Sequence, residues 1–291
     1  FRAPGDPIKL AREQLIEDRL KLGAANAAGV ELDDEQIQAG MEEFAARANL
    51  SAEQMVGALV AKYALKRNSP NADRFDVQII DTADYPWLQE HEGRMYLRDG
   101  VQRVWLNDDL QSFTPLRFMP PKLMGYQGRA VVIDPDIFAV GDIWELLSRD
   151  MEDKAVMCRM RSGPKGYIDK CMASSVMLLD CAKLRHWDAE QGFREMFEFK
   201  RDYQPWICLK LEDRESIGFF EPEWNDFDRL TRQTKMLHNT RRRTQPWKTG
   251  LPTDWRPAER FRLFPPVAWA MRARRKLFGE YAFLGNYKAH P

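Results

Sequence analysis

Apolar positions recur at helical spacing over residues 10–28, where Leu15, Ile16, Leu20, Leu22 and Ala24 stand among charges and Gly29 offers a C-terminal cap. Asp33 followed by Gln36 opens a second predicted helix through Ala48 in capping-box style, and Ser51 followed by Gln54 opens a third that runs to Asn68. Ser69-Pro70-Asn71 stops it. The pattern then changes. Phe75 to Ile80 alternates and then runs apolar, which predicts a strand, and Val104-Trp105-Leu106 is short and ambiguous. Ala130 to Ile133 is a short apolar run ending on Asp134-Pro135-Asp136, as expected of a buried strand. Ile143 to Leu147 predicts a helical turn, Ala155 to Cys158 and Ser174 to Leu179 predict strands, and Lys183 to Phe199 reads as helix. Strands alternating with helices over residues 60–240 predict an α/β layer fold. No internal repeat or low-complexity tract interrupts it.

Composition changes this picture little. The 291 residues are 44% hydrophobic and 30% charged, enough for a sizeable core. The formal net charge is zero, which argues against a dedicated nucleic-acid binder. That neutrality averages unlike pieces: Asp33, Asp34, Glu35, Glu42 and Glu43 make the start acidic, while Arg256, Arg260, Arg262, Arg272, Arg274, Arg275 and Lys276 make the end basic. Cys158, Cys171, Cys181 and Cys208 show no metal-ligand spacing and read as free buried thiols of a reducing compartment. No apolar run is long enough to span a bilayer and none reads as a signal peptide.

The chemistry concentrates at Asp134 and Asp136. Side chains two apart on extended chain share a face, so both carboxylates can meet one hard divalent cation at a strand's carboxyl end, where open α/β sheets place ligands. Asp-Pro-Asp is equally a good turn, and on spacing alone the turn is the better reading.

The wider pattern shifts the balance. Met124 to Ile143, with its apolar strand, Asp-x-Asp and following Gly141-Asp142-Ile143, resembles the metal-site strand of family 8 and related retaining glycosyltransferases. Ser174 to Asp180 resembles a later strand of that family, Pro222-Glu223-Trp224-Asn225 a further segment, and His238 with Pro246-Trp247-Lys248 its terminal motif. The resemblance implies a GT-A fold over residues 60–255, with a Rossmann-like mixed sheet flanked by helices. It implies that Asp134, Asp136 and His238 hold Mn²⁺ or Mg²⁺ against the diphosphate of a UDP-sugar, whose sugar passes to a saccharide or lipid-linked acceptor. Lys248, or an arginine of the Arg241-Arg242-Arg243 run, would join the clamp, and Arg117 and Lys122 are weaker donor-side candidates for which ordinary surface charge is the bland alternative. For His238 alone the bland alternative is a histidine in a basic loop. The chain departs from the family at Gln245, where a lysine is usual, and at Asp202-Tyr203-Gln204, where the family often has an adjacent Asp-Gln pair. No catalytic residue is therefore assigned. Tyr203 and Trp206 are either a sugar platform or core, with core favoured.

Residues 8–59 resemble part of the N-terminal helical domain of SurA-type periplasmic chaperones, through the Asp33-Asp34-Glu35-Gln36 and Asn49-Leu50-Ser51-Ala52-Glu53-Gln54 cadence. Leu59 and Val60 mark the junction, inside one continuous helix, between segment 1–59 and the glycosyltransferase-like residues. The first strand of the GT-A sheet has no counterpart in this chain, which predicts a gap or re-paired neighbours in the sheet. Residues 256–291 interleave arginines with Phe261, Trp269, Leu277 and Phe278, and a basic amphipathic helix near Ala268 to Phe278 suits either the protein's own surface or an anionic membrane. The sugar-nucleotide chemistry implies a cytoplasmic location, peripheral to the inner face of the membrane. Two rival functions stand beside transfer: an inactive chimeric scaffold, and a peptide-binding module built on the N-terminal helices.

Overall fold

A nine-residue strand running through the protein interior, Met172–Asp180, organises the sheet that carries the candidate site. The computed structural model describes residues 52–107, 109, 111–160, 171–241 and 265–278. By its contacts the chain divides into Phe1–Arg47 and Ala48–Pro291, and every described residue lies in the second unit. The first two predicted helices, nearly all of the chaperone-like segment, Arg242, Arg243 and Lys248 therefore lie outside the described residues.

The described strands in chain order are β1 Met95–Arg98, β2 Val101–Val104, β3 Arg129–Ile133, β4 Ile137–Ala139, β5 Val156–Met160, β6 Met172–Asp180, β7 Ile217–Phe219, β8 Asp226–Phe227 and β9 Met236–His238. The helices are α1 Ala52–Arg67, α2 Pro120–Leu123, α3 Ile143–Leu147, α4 Ala189–Phe197, α5 Tyr203–Ile207 and α6 Pro265–Phe278. The result is a mixed α/β fold. Its main sheet has the order β3-β6-β5-β7, antiparallel except for the parallel β5–β7 pair. All of β6 but its last residue is buried, as expected of a largely apolar strand covered on both faces. A second sheet, β4-β9-β8, pairs β4 antiparallel and β8 parallel to β9.

These two sheets meet where the sequence placed its carboxylates. Asp134 N–H still donates to Ser175 O at 3.1 Å, extending the β3–β6 pairing by one residue. Three residues later Ile137 pairs with His238 in the other sheet. The short link between them is Asp134-Pro135-Asp136.

Four expectations need correction. Phe75–Ile80 forms no strand: its backbone is extended at Phe75 (φ −144°, ψ 153°), and Phe75, Val77 and Ile80 pack on the core, but no strand among the described residues pairs with it. β3 correspondingly has β6 as its one described neighbour. An alternating pattern makes one face apolar; it cannot supply the partner that turns extended chain into sheet. The ambiguous stretch near Val104 is the end of a hairpin. β1 and β2 turn at Asp99 (φ 54°) and Gly100 (φ 69°), both in the left-handed region that a two-residue hairpin turn requires, and the Asp202 carboxylate accepts from both turn amides at 2.9 and 2.6 Å. Of Lys183–Phe199 only Ala189–Phe197 is α-helix: the Asp188 side chain accepts from Gln191 N–H and caps its start, and Phe199 (φ 59°) lies beyond its end. Finally, Cys171 and Cys208 form a disulfide, which removes them from the predicted set of four free thiols, and removes with them a premise of the reducing-compartment reading. Cys158 and Cys181 are free and buried. Burial pushes their thiols up to about 12 and about 11 respectively, so both stay protonated and inert.

The helices follow the sequence more closely. α1 crosses Leu59 and Val60 without a break, and α3 starts where Asp142 caps it by accepting from Trp144 N–H. Tyr203 and Trp206 belong to the core: Trp206 stacks on Phe118 at 4.8 Å, and the Tyr203 hydroxyl meets Thr114 Oγ1 at 2.9 Å. Among the described residues no helix is long and apolar enough to cross a membrane.

Candidate metal centre

Asp134 leaves the end of β3, Asp136 precedes β4, and His238 closes β9, so the sheet seam delivers all three to one place. One ligand atom from each lies within 4.8 Å of the others. Donors about 2.0–2.5 Å from a common divalent cation stand at most roughly 5 Å apart, so this spread is compatible with shared coordination. Asp134 and His238 are buried, at 5% and 8% exposure.

The Arg117 guanidinium grips both oxygens of the first carboxylate. Its Nε donates to Asp134 Oδ1 at 2.8 Å, its Nη2 to Oδ2 at 2.5 Å, and its Nη1 to Ser174 Oγ at 2.9 Å. The surface-charge alternative for Arg117 is therefore overturned. Burial works against its charge, but Asp134 outweighs that effect and holds the guanidinium protonated. For Asp134, burial pushes the carboxyl above the usual carboxylate range, Arg117 pulls it down, and the neighbouring Asp136 pushes it up again. Two carboxyl groups thus lie beside one buried guanidinium.

Asp136 has no comparable partner. Its Oδ1 is buried and accepts no hydrogen bond. His238 Nε2 stands 3.5 Å away, too far for a good hydrogen bond. The far side of the ring is well held: His238 Nδ1 meets Asn225 Oδ1 at 2.9 Å, and Asn225 Nδ2 donates to Ser175 Oγ at 3.0 Å. When Nδ1 carries the proton for Asn225, the neutral ring turns the Nε2 lone pair toward the carboxylates. An orphaned carboxylate oxygen facing an imidazole lone pair is an arrangement of acceptors without a donor, and a cation between them fits it.

The remaining candidates fare differently. Lys122 is exposed on α2 and its ion-pair partner is Asp188, 3.7 Å away at the start of α4, which is no member of the cluster. Arg241 N–H donates to Asp228 Oδ1 at 2.9 Å. Lys248 lies outside the described residues. Sequence reasoning missed Arg117 as the partner of Asp134, and gave Ser174, Ser175 and Asn225 no role. Ser174-Ser175 in an otherwise apolar strand was the available signal, since buried hydroxyls need partners.

No protein-family model matches the chain, and no curated protein matches it. Solved structures similar to it include mouse xyloside xylosyltransferase 1, 14% identical over 65% of this chain and 92% of that one, with a TM-score of 0.40. The galactosyltransferase LgtC, solved with donor and acceptor sugar analogues, is 14% identical over 74% of this chain and 91% of its own, with a TM-score of 0.43. The glycosyltransferase GlyE of Streptococcus pneumoniae TIGR4 is 15% identical over 54% of this chain and 42% of its own, at a TM-score of 0.35. At such scores and identities these likenesses decide neither activity nor ligand.

Proposed function

We propose that the protein is a divalent-metal-dependent glycosyltransferase of GT-A type that uses a UDP-sugar donor with retention and passes the sugar to a saccharide or lipid-linked acceptor. The observation that carries this reading is the orphaned Asp136 Oδ1, buried beside Asp134 and facing His238 Nε2 at 3.5 Å. Asp134, Asp136 and His238 would hold the cation, and a donor set of two carboxylates and one imidazole suits Mn²⁺ better than Mg²⁺. Bound there, the cation would neutralise charge developing on the leaving diphosphate. Arg117 fixes the orientation of Asp134 through its paired contacts, and Ser174 fixes Arg117 in turn. Lys248 is proposed to reach the donor diphosphate. α6, with Trp269, Leu277 and Phe278 exposed, would lie on an anionic membrane surface near a lipid-linked acceptor.

A second reading is favoured by one observation. β3 has no described neighbour on the side away from β6, and Phe75–Ile80 runs unpaired, so a nucleotide pocket built from a complete sheet would be impaired. On that reading the chain keeps the metal cluster and lacks transfer. The chaperone-like alternative rests on residues outside the described ones.

Calorimetric titration of UDP with and without Mn²⁺ separates the readings. The variant to compare is Asp136→Ala, because Asp134→Ala also strips Arg117 of its buried partner. Binding of UDP that needs Mn²⁺ and is lost in Asp136→Ala supports transfer, and product analysis with UDP-sugars then tests retention. Mn²⁺ binding without UDP supports the inactive scaffold. A folded chain that binds neither ends the enzyme reading.

A further inference from the structure

Asn225 is fully buried, and both ends of its amide are spent on the candidate centre. Oδ1 faces His238 Nδ1 at 2.9 Å, and Nδ2 donates to Ser175 Oγ at 3.0 Å. The backbone holds it there twice over. Asn225 immediately precedes β8, whose parallel register against β9 sets Phe227 opposite His238. Its own carbonyl accepts from Arg159 Nη1, fixing the peptide unit from the other side. The Phe227 ring meets the imidazole at 5.3 Å with the planes 61° apart, so the histidine is confined at one nitrogen and against a neighbouring ring.

A histidine presents one ring nitrogen as an acceptor only when the other keeps the proton. We propose that Asn225 is a positioning residue that selects the Nδ1–H form of His238 through its Oδ1 and so turns the Nε2 lone pair toward Asp134 and Asp136. The inference rests on the metal reading for its purpose but not for its test. Asn225 touches no reacting atom; it acts through His238. The amide sits with its oxygen toward the ring and its Nδ2 donating to Ser175 Oγ, which itself lies 3.5 Å from His238 Nδ1.

The test uses three proteins: wild type, Asn225→Asp, which keeps an oxygen acceptor, and Asn225→Leu, which keeps the approximate size and loses it. Histidine-selective ¹⁵N spectra of the metal-free chains, recorded where the ring is neutral and assigned through loss of the signal in His238→Gln, read the protonated nitrogen directly. The expected result is Nδ1–H in wild type and Asn225→Asp, and a loss of that preference in Asn225→Leu. Mn²⁺ affinity by calorimetry is expected to fall about 10–100-fold in Asn225→Leu, the range for losing an outer partner of a metal-ligating histidine, and to stay near wild type in Asn225→Asp. A merely structural role would lower the melting temperature of both variants and leave the tautomer of the folded molecules alone. Nε2–H in wild type overturns the proposal, and so does an Asn225→Leu protein with unchanged spectra and affinity. Should Asn225→Leu fail to fold, the wild-type and Asn225→Asp spectra still decide. If wild type binds no Mn²⁺, the metal reading fails separately, while the spectra judge Asn225 by the same criteria.

Discussion

Where α4 packs against the β1–β2 hairpin and α5, each large ring finds another. Phe193 contacts Trp87, Trp105 and Phe197 with centroids 5.2, 5.0 and 5.0 Å away, and Trp206 stacks on Phe118. At the seam between the two sheets the same degree of burial encloses charge, and one carboxylate oxygen there has no donor. The first region packs ring on ring, although His91 Nδ1 and Trp187 Nε1 within it are also buried without a hydrogen-bond partner. The second is consistent on the Arg117 side and unresolved on the Asp136 side. A fold commonly tolerates such local conflict where a ligand completes it, so the contrast separates residues that hold the molecule together from residues held ready.

The largest expected effect divides the two carboxylates themselves. Asp134→Ala leaves Arg117 buried without its counter-charge and is expected to lose about 3–5 kcal/mol of stability. Asp136→Ala removes an oxygen that no donor reaches and is expected to stay within roughly 1 kcal/mol of wild type. Urea denaturation of both variants measures the difference, and equal losses would erase the proposed division of labour. In the aromatic layer the sensitive position is Gly192, where an added Cβ would sit 2.9 Å from the Trp206 ring. Gly192→Ala is expected to cost about 1–3 kcal/mol by overpacking, less in a Trp206→Phe background, as a double-mutant cycle by thermal melting would show.

The smallest effect is a pH dependence. His91 stacks on Phe197 at 4.2 Å, and burial, reinforced by Arg94, lowers its pKa. The unfolded chain thus binds a proton more readily than the folded one. The stability this confers is complete above the ordinary imidazole value, declines as the pH falls through that value, and levels off below the lowered folded one. His91→Phe should flatten the decline in denaturation midpoints between about pH 7 and 5. An unchanged slope would place the titrating group elsewhere.

How much of this could be read from the chain depends on whether the deciding partner was local. β6, α3 and the third predicted helix, α1, were legible because a largely apolar run, a capping aspartate, and a Ser51…Gln54 start with a Ser69-Pro70 stop are written in or beside each segment. The hairpin was equally local, since Asp99-Gly100 is a strong turn signal, and it was simply passed over. Phe75–Ile80 misled because its extended conformation is local while strand pairing is not. The Cys171–Cys208 bond, spanning 37 residues, and the Arg117–Asp134 pair, spanning 17, depend on topology bringing distant segments together. At the centre, apolar run and Asp-x-Asp spacing drew attention to Asp134 and Asp136, but His238 came from the four-segment resemblance, and no periodicity would have put it beside them.

The passage from β3 to β4 through Asp134-Pro135-Asp136 carries one more consequence. The two sheets share no strand, and His238 belongs to the second while Asp134 ends a strand of the first. Anything grasped by both residues is therefore a rivet between two separately woven panels. Its grip on the ligand and the panels' grip on each other are one free energy seen from opposite ends, so loading the centre would slow hydrogen exchange along β9 and β6 far beyond the reach of any direct contact.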